Sequence, residues 1–168
     1  MIVIDSSSLI LLSKATVLET VCALNVIVIG RSVYEESVAR GREKGRPDSL
    51  IIEKLVAEGK IKVLAGPPKE MAILEASYGI RVGENETVAI ALSTRGAKIL
   101  TDDRKNMTVS KTLGIRFMIA LDAVVELGCN GRITKEKAKE AFESVAGNGW
   151  IREEIIKERR EKLFRRNA

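Results

Sequence analysis

Histidine is absent from the 168 residues of this chain. Every imidazole-dependent mechanism is thereby excluded, Ser-His-Asp triads and paired-histidine ribonuclease chemistry among them. There are only two cysteines, Cys22 and Cys129, far apart and each among apolar neighbours. Without a CxxC spacing neither a zinc site nor a thioredoxin-type pair can be built, and two reduced, buried, small apolar side chains are expected. Three prolines make no Pro-rich linker, and no repeat or low-complexity tract is visible. Long apolar runs are missing too: Asn25 interrupts the stretch 21–29, so no segment is suited to span a bilayer. The apolar N-terminus has no basic segment before it and no cleavage site after it, which argues against a signal peptide and predicts a cytoplasmic chain with no membrane partner. No strand is followed by GxGxxG, and no GxxxxGK[ST] occurs, so dinucleotide and P-loop readings fail.

What the chain does carry is charge. Its length suits one domain with a sizeable core, and its 45% hydrophobic and 30% charged residues are those of a soluble globular protein. The net charge is +5, a surplus that permits nucleic-acid binding. Arg40, Arg42, Lys44 and Arg46 cluster in one loop. Residues 151–168 hold seven basic side chains against four acidic ones. That terminal segment is expected to add electrostatic affinity for nucleic acid, or else to be a solvated helix that closes the fold.

Short β-branched runs alternate with helical stretches. Strands are expected at 2–4, 26–29, 61–64, 98–100 and 116–119, with the continuous apolar character of strands buried on both faces. Helices are expected at 8–23, 32–40, 48–58, 68–78, 84–95 and 105–113. Asp48 suits an N-cap, Pro67 and Pro68 a helix start, and Gly59, Gly79, Gly96 and Gly114 helix ends. This alternation predicts an α/β fold, a three-layer α/β/α sandwich around a parallel sheet of about five strands. After Ile119 only helices follow: a short one at 122–127, one capped by Thr134, and a last one from Trp150 after the break Gly147-Asn-Gly149. No linker separates them, so 1–168 is read as one domain, with 120–168 a helical C-terminal appendage packed on it.

Acidic residues recur beside the apolar runs. Asp5 follows the run 1–4, Asp102 and Asp103 follow 97–101, Glu36 lies in Ser32-Val-Tyr-Glu-Glu-Ser37, and Glu84 and Glu86 open Gly83-Glu-Asn-Glu-Thr-Val-Ala-Ile-Ala-Leu92. Open parallel sheets bind ligands beyond the C-terminal ends of their strands. Asp5, Asp102 and Asp103 fall at such ends, with the hydroxyls of Thr101 and Ser6 to Ser8 beside them; Glu36 and Glu86 fall near helix starts. Carboxylates gathered at one point, without histidine or a cysteine cluster, suit a hard oxygen-ligated cation such as Mg²⁺ or Mn²⁺. Each acid also has a structural reading. Asp102 and Asp103 can cap a helix, Glu84 and Glu86 can complement a helix dipole, and Glu35 and Glu36 can simply be solvated. Asp5 is harder to explain that way, because an Asp closing an apolar strand is unfavourable unless paired or liganded. A haloacid-dehalogenase-type phosphatase needs a second Asp two residues on, where this chain has Ser7.

Taken in order, these segments resemble the PIN-domain family, whose VapC-like toxin members are metal-dependent ribonucleases. Asp5-Ser-Ser-Ser-Leu-Ile10 is similar to the family's opening Asp-[Ser/Thr]-Ser-x-Leu. Val33-Tyr-Glu-Glu36 resembles its second motif and places Glu36 at the acidic position. The segment from Gly83 resembles Gly-Glu-x-Glu-Ala-Ile-Ala-Leu, with Glu86 as the ligand, and Thr101-Asp-Asp103 matches Thr-x-Asp, which favours Asp103 over Asp102. The resemblance covers residues 1 to 120 and continues less specifically through Gly131 to Ala138 and Gly149-Trp-Ile151, like a prokaryotic branch of the family with little assigned function. Two departures stand out: Met107 where this branch commonly has Arg, which predicts a weaker grip on the substrate phosphate, and Ser110 where Ala is usual.

The resemblance implies a metal-dependent endoribonuclease, the toxin of a toxin–antitoxin pair. Asp5, Glu36, Glu86 and Asp103, with Asp102 adjacent, would hold Mg²⁺ or Mn²⁺, and Ser7 and Thr101 would position them. It also implies an RNA substrate, an antitoxin partner and a homodimer. Two other classes stay open: a catalytically silent PIN domain that binds nucleic acid or acts as a scaffold, and a metal-dependent phosphatase or DNA nuclease using the same carboxylates.

Overall fold

Strand formation follows the β-branched runs closely, and the chain returns to the sheet through helices after each one. The computed structural model describes residues 1–80 and 85–165. In chain order the elements begin β1 (Ile2–Ile4), α1 (Ser6–Lys14), α2 (Leu18–Leu24), β2 (Ile27–Gly30), α3 (Arg31–Tyr34), a π turn (Glu35–Ala39), α4 (Arg40–Glu43) and α5 (Pro47–Ala57). They continue β3 (Ile61–Leu64), α6 (Pro68–Tyr78), α7 (Glu86–Ser93), β4 (Lys98–Leu100), α8 (Arg104–Thr112), β5 (Arg116–Met118), α9 (Ala120–Cys129), α10 (Lys135–Asn148) and α11 (Glu153–Phe164).

The five strands pair in the order β3-β2-β1-β4-β5, and every pair is parallel. From β1 the chain walks outward to β3, then returns past β1 to lay down β4 and β5. The direction reverses between β1 and β4, which is where an open α/β sheet leaves a crevice. Alternation along the strands divides the core into two layers. Ile2, Ile4, Ile27, Ile29 and Leu100 pack with α1, α2, α5 and the C-terminal helices. Val3, Val28 and Ile99 pack with α6, α7 and α8. The result is the expected α/β/α sandwich. Phe142 and Val145 of α10 and Ile156 of α11 lie in the first of these layers, so the C-terminal helices share the core of the sheet.

Several local expectations change. The helix expected over 8–23 is two helices bent by 112°, because Thr16 adopts a left-handed φ of 56°. Its hydroxyl donates to the Ala15 carbonyl and accepts from the Lys137 ammonium of α10, which holds the corner. The helix expected over 32–40 contains the π turn, where the Ser37 hydroxyl donates back to the Val33 carbonyl. Arg46, not Asp48, is the N-cap of α5, with Pro47 at its first position. Burial on both faces holds for β1 and β2, but Lys62, Arg116 and Phe117 are exposed because β3 and β5 are sheet edges. Cys22 is buried as expected; Cys129, at the end of α9, is exposed. The last helix begins at Glu153 instead of Trp150. Gly83 and Glu84 of the third motif, and Arg166, lie outside the described residues. Among the described residues no single helix is long and apolar enough to cross a membrane.

The basic tail is partly committed to the fold. Arg159 pairs with Asp122 of α9 at 2.5 Å. Arg160 pairs with Glu143 of α10, and its guanidinium lies 5.1 Å from the centre of the Phe142 ring. Phe164 meets Phe142 edge to face.

Candidate active site

Asp5 is the residue that the sheet delivers to the crevice. The β1–β4 register pairs Ile4 with Leu100, so the next residues, Asp5 and Thr101, leave their strands side by side. Asp5 is also the N-cap of α1. Its Oδ1 accepts the Ser8 N–H at 2.8 Å and the Ser7 hydroxyl at 2.9 Å, and its Oδ2 accepts the Thr101 hydroxyl. Asp5 is only 5% exposed. Burial pushes its pKa above the ordinary 3.8, and the hydrogen bonds from Thr101, Ser8 and Ser7 pull it down without cancelling that effect.

Asp103 caps α8, accepting the Asn106 N–H at 2.8 Å, and stays exposed. Thr101 links the two acids. Its hydroxyl donates to Asp5 and its oxygen accepts the Asp103 N–H at 3.2 Å. Glu35 and Glu36 come from the π turn, a distortion that recurs at functional sites because it re-aims side chains within a helix. Asp5, Ser6, Ser7, Glu35, Glu36 and Asp103 all line one cavity of about 600 Å³, with Ser32, Arg40 and Lys105 among its other lining residues. Sequence reasoning missed Glu35, Arg40 and Lys105 as site residues. The basic loop was a signal for Arg40, whereas nothing distinguished Lys105 from other surface lysines. Met107 packs against the core and lines a different cavity. Among the described residues the acidic cavity therefore has two cations, Arg40 and Lys105, without an arginine at position 107.

Glu86 is not itself among the lining residues of that cavity, although it binds Ser32, which is. It is 5% exposed and both its carboxylate oxygens accept hydrogen bonds. Oε2 accepts the Ser32 N–H at 2.8 Å and the Ser32 hydroxyl at 2.6 Å, while Oε1 accepts the Gly66 N–H at 2.8 Å. A Cβ on Gly30 or on Gly66 would run into its side chain, so the carboxylate lies against the chain just past β2 and β3. Burial acts to raise its pKa, but the hydrogen bonds from Ser32, Gly66 and Arg31 win and hold it below 4.5. Its neighbour Thr87 does line the cavity.

Asp102 also diverges. It leaves β4 beside Asp103, but extended backbone sends successive side chains to opposite sides. Its Oδ2 accepts the Ser8 hydroxyl at 2.7 Å and the Ala120 N–H at 3.1 Å, tying β4 to α1 and α9. Burial raises its pKa, opposed by the bonds from Ser8 and Ala120 and reinforced by the charge of Asp5.

Among the described residues no three Asp, Glu, Cys or His side chains stand close enough together to grip one ion. In kind, however, the donors fit. Asp5, Glu36 and Asp103 offer only carboxylate oxygen to a polar cavity, which is the chemistry of a hard divalent cation and not of zinc or copper.

The parallel sheet thus carries an acid from each strand adjoining its reversal point, Asp5 after β1 and Asp103 after β4. A PIN-domain family model matches residues 1–164, and the chain belongs to the PIN-domain family. Neither a curated protein nor a solved structure gives a match. PIN domains are generally nucleases and typically bind divalent metals.

Proposed function

We propose that this protein is a Mg²⁺- or Mn²⁺-dependent endoribonuclease that hydrolyses RNA phosphodiesters and serves as the toxin of a toxin–antitoxin pair. The observation that carries this reading is the meeting of Asp5, Glu36 and Asp103 in one polar cavity at the β1–β4 reversal. Asp5, Glu36 and Asp103 are the residues that would hold the divalent cation, which when bound would supply an activated water and neutralise charge on the attacked phosphate. Ser7 and Thr101 fix the Asp5 carboxylate so that it cannot rotate away from the cavity. Thr101, by also accepting the Asp103 N–H, sets the distance between the two strand ends. Arg40 and Lys105 take the substrate's phosphates. Lys105 is pre-oriented by donating to the Gly79 carbonyl at 2.6 Å. Glu86 and Asp102 serve the site from outside, Glu86 by bracing the segments after β2 and β3 and Asp102 by tethering α1 to β4. A helical antitoxin and a second copy of the chain complete the proposed assembly.

The test is cleavage of a labelled single-stranded RNA with and without Mg²⁺ or Mn²⁺, comparing wild type with Asp5→Asn. Metal-dependent cleavage lost in the variant supports the reading. Cleavage undiminished in EDTA, or in the variant, refutes it. One observation favours a catalytically silent RNA-binding PIN domain instead: the carboxylates are not drawn together into a preformed cage. Calorimetry separates the two, because the silent domain binds RNA but no divalent metal.

A further inference from the structure

The only tryptophan of the chain, Trp150, is 98% exposed. Its position follows from its neighbours. Gly149 ends α10 in extended conformation, so close to the preceding turn that a Cβ would meet the Val145 carbonyl oxygen at 2.9 Å. Ile151 turns inward and packs against the core, and the residue between them is left facing out. An indole in that state adds nothing to the packing of the fold.

Trp150 stands over a second cavity of about 360 Å³, within the range of small-ligand pockets. Met107, Ile119 and Ile155 contribute its apolar surface, and Arg104 and Arg152 its cations. The two cavities share one short segment. Asp103 and Lys105 line the acidic cavity, whereas Asp102 and Arg104 line this one. The start of α8 therefore borders both cavities.

We propose that the second cavity is a nucleobase subsite. One unstacked base of a single-stranded RNA lies against the Trp150 indole, Arg104 and Arg152 hold the flanking phosphates, and a neighbouring phosphodiester lies in the acidic cavity. The identity of the strand rests on the nuclease reading above. The chemistry of the pocket stands apart from it: an exposed aromatic face with two guanidinium groups is what sequence-tolerant single-strand binders use, since every base has a π-face. A protein side chain would also fill an apolar pocket, but the paired arginines match the phosphates on either side of a base.

Because Trp150 is the sole tryptophan, its fluorescence reports on this site alone. The full chain is titrated in EDTA with a single-stranded RNA oligonucleotide and with the corresponding duplex. Saturable quenching by the single strand and none by the duplex is expected. Trp150→Ala should weaken single-strand binding about ten- to a hundredfold, the span of base–aromatic stacking, while Trp150→Phe keeps most of the affinity. Since the side chain is exposed, neither variant should change Tm. Binding without quenching, with equal affinity in Trp150→Ala and unchanged metal-dependent cleavage, overturns the subsite and leaves the nuclease reading standing. A wild-type protein that neither binds RNA nor cleaves it overturns both. A concentration-dependent blue shift, accompanied by a doubled mass in sedimentation and indifferent to RNA, assigns this face to a second copy of the chain and also overturns the proposal.

Discussion

Replacing Glu86 with Gln separates a brace from a metal ligand. In the wild type, two oxygens receive three donors: the Ser32 N–H, the Ser32 hydroxyl and the Gly66 N–H. A glutamine keeps one oxygen and substitutes an NH₂ for the other. Whichever way the amide turns, a backbone N–H from Ser32 or Gly66 is left facing a donor. An unmet donor at a buried site costs roughly 1–3 kcal/mol, and bonds to a charged acceptor are the stronger kind to lose. A loss of about 2 kcal/mol lowers Tm by about 4–8 °C in a domain of this size. The pH dependence carries a sign. Glu86 titrates below 4.5 in the folded protein, so its contribution is present above the unfolded value and is lost as pH falls through the folded one. The gap between wild type and variant should therefore be full near pH 7 and shrink in acid. The assay is thermal or urea unfolding in EDTA across that range, paired with Mn²⁺ calorimetry. If Glu86→Gln is as stable as wild type at pH 7 yet loses metal affinity, the brace is wrong and the family-based assignment of Glu86 as a ligand is right.

Asp5→Asn should leave the metal-free protein as stable as wild type or more so. The raised pKa of Asp5 means that its ionisation opposes folding, so stability is greatest below the unfolded value and falls as pH rises through the folded one, a loss the variant escapes. An urea-melt pH series in EDTA checks this, and parallel profiles for the two proteins would refute it. Lys105→Gln and Arg40→Gln should each weaken RNA binding and flatten its salt dependence by about 0.7 log unit per log unit of salt; slopes equal to wild type would remove these residues from the substrate path. Truncation after Glu158 deletes the Arg159–Asp122 and Arg160–Glu143 pairs and the contacts on Phe142. Half-exposed ion pairs and aromatic contacts together are worth about 2 kcal/mol, so Tm should fall by about 4–8 °C. A truncated protein of unchanged Tm and weaker RNA binding would return the tail to the electrostatic role read from its charge.

Most of the frame was legible because strands and helices announce themselves locally. The runs 61–64 and 98–100 and the helix over 68–78 are observed with the bounds expected, since β-branched residues, paired prolines and a left-handed Gly79 each set a boundary by their own sterics. Thr16 was invisible for the same reason. Its left-handed backbone splits a continuous apolar pattern, and what holds the corner, Lys137, comes from 121 residues away. The π turn was equally hidden, because one extra residue in a turn leaves the composition of a helix unchanged.

The acids divide along a similar line. Position at a strand end or a helix start can be read from the order of residues, and it brings Asp5, Glu36 and Asp103 to one crevice. Which partners the oxygens of Glu86 and Asp102 take is decided by residues remote in sequence. Glu86 is engaged by Ser32 and Gly66, and Asp102 by Ser8 and Ala120. Three of these four partners act through backbone N–H groups, which every residue but proline possesses. Acids that stand together in sequence can therefore part in the fold. Asp102 and Asp103 are the extreme case: one extended step sends the first to a tether between β4, α1 and α9, and the second to the acidic cavity. The divergence fastens the strand end through Asp102, with Ser8 and Ala120 as its donors, beside the residue that lines the acidic cavity.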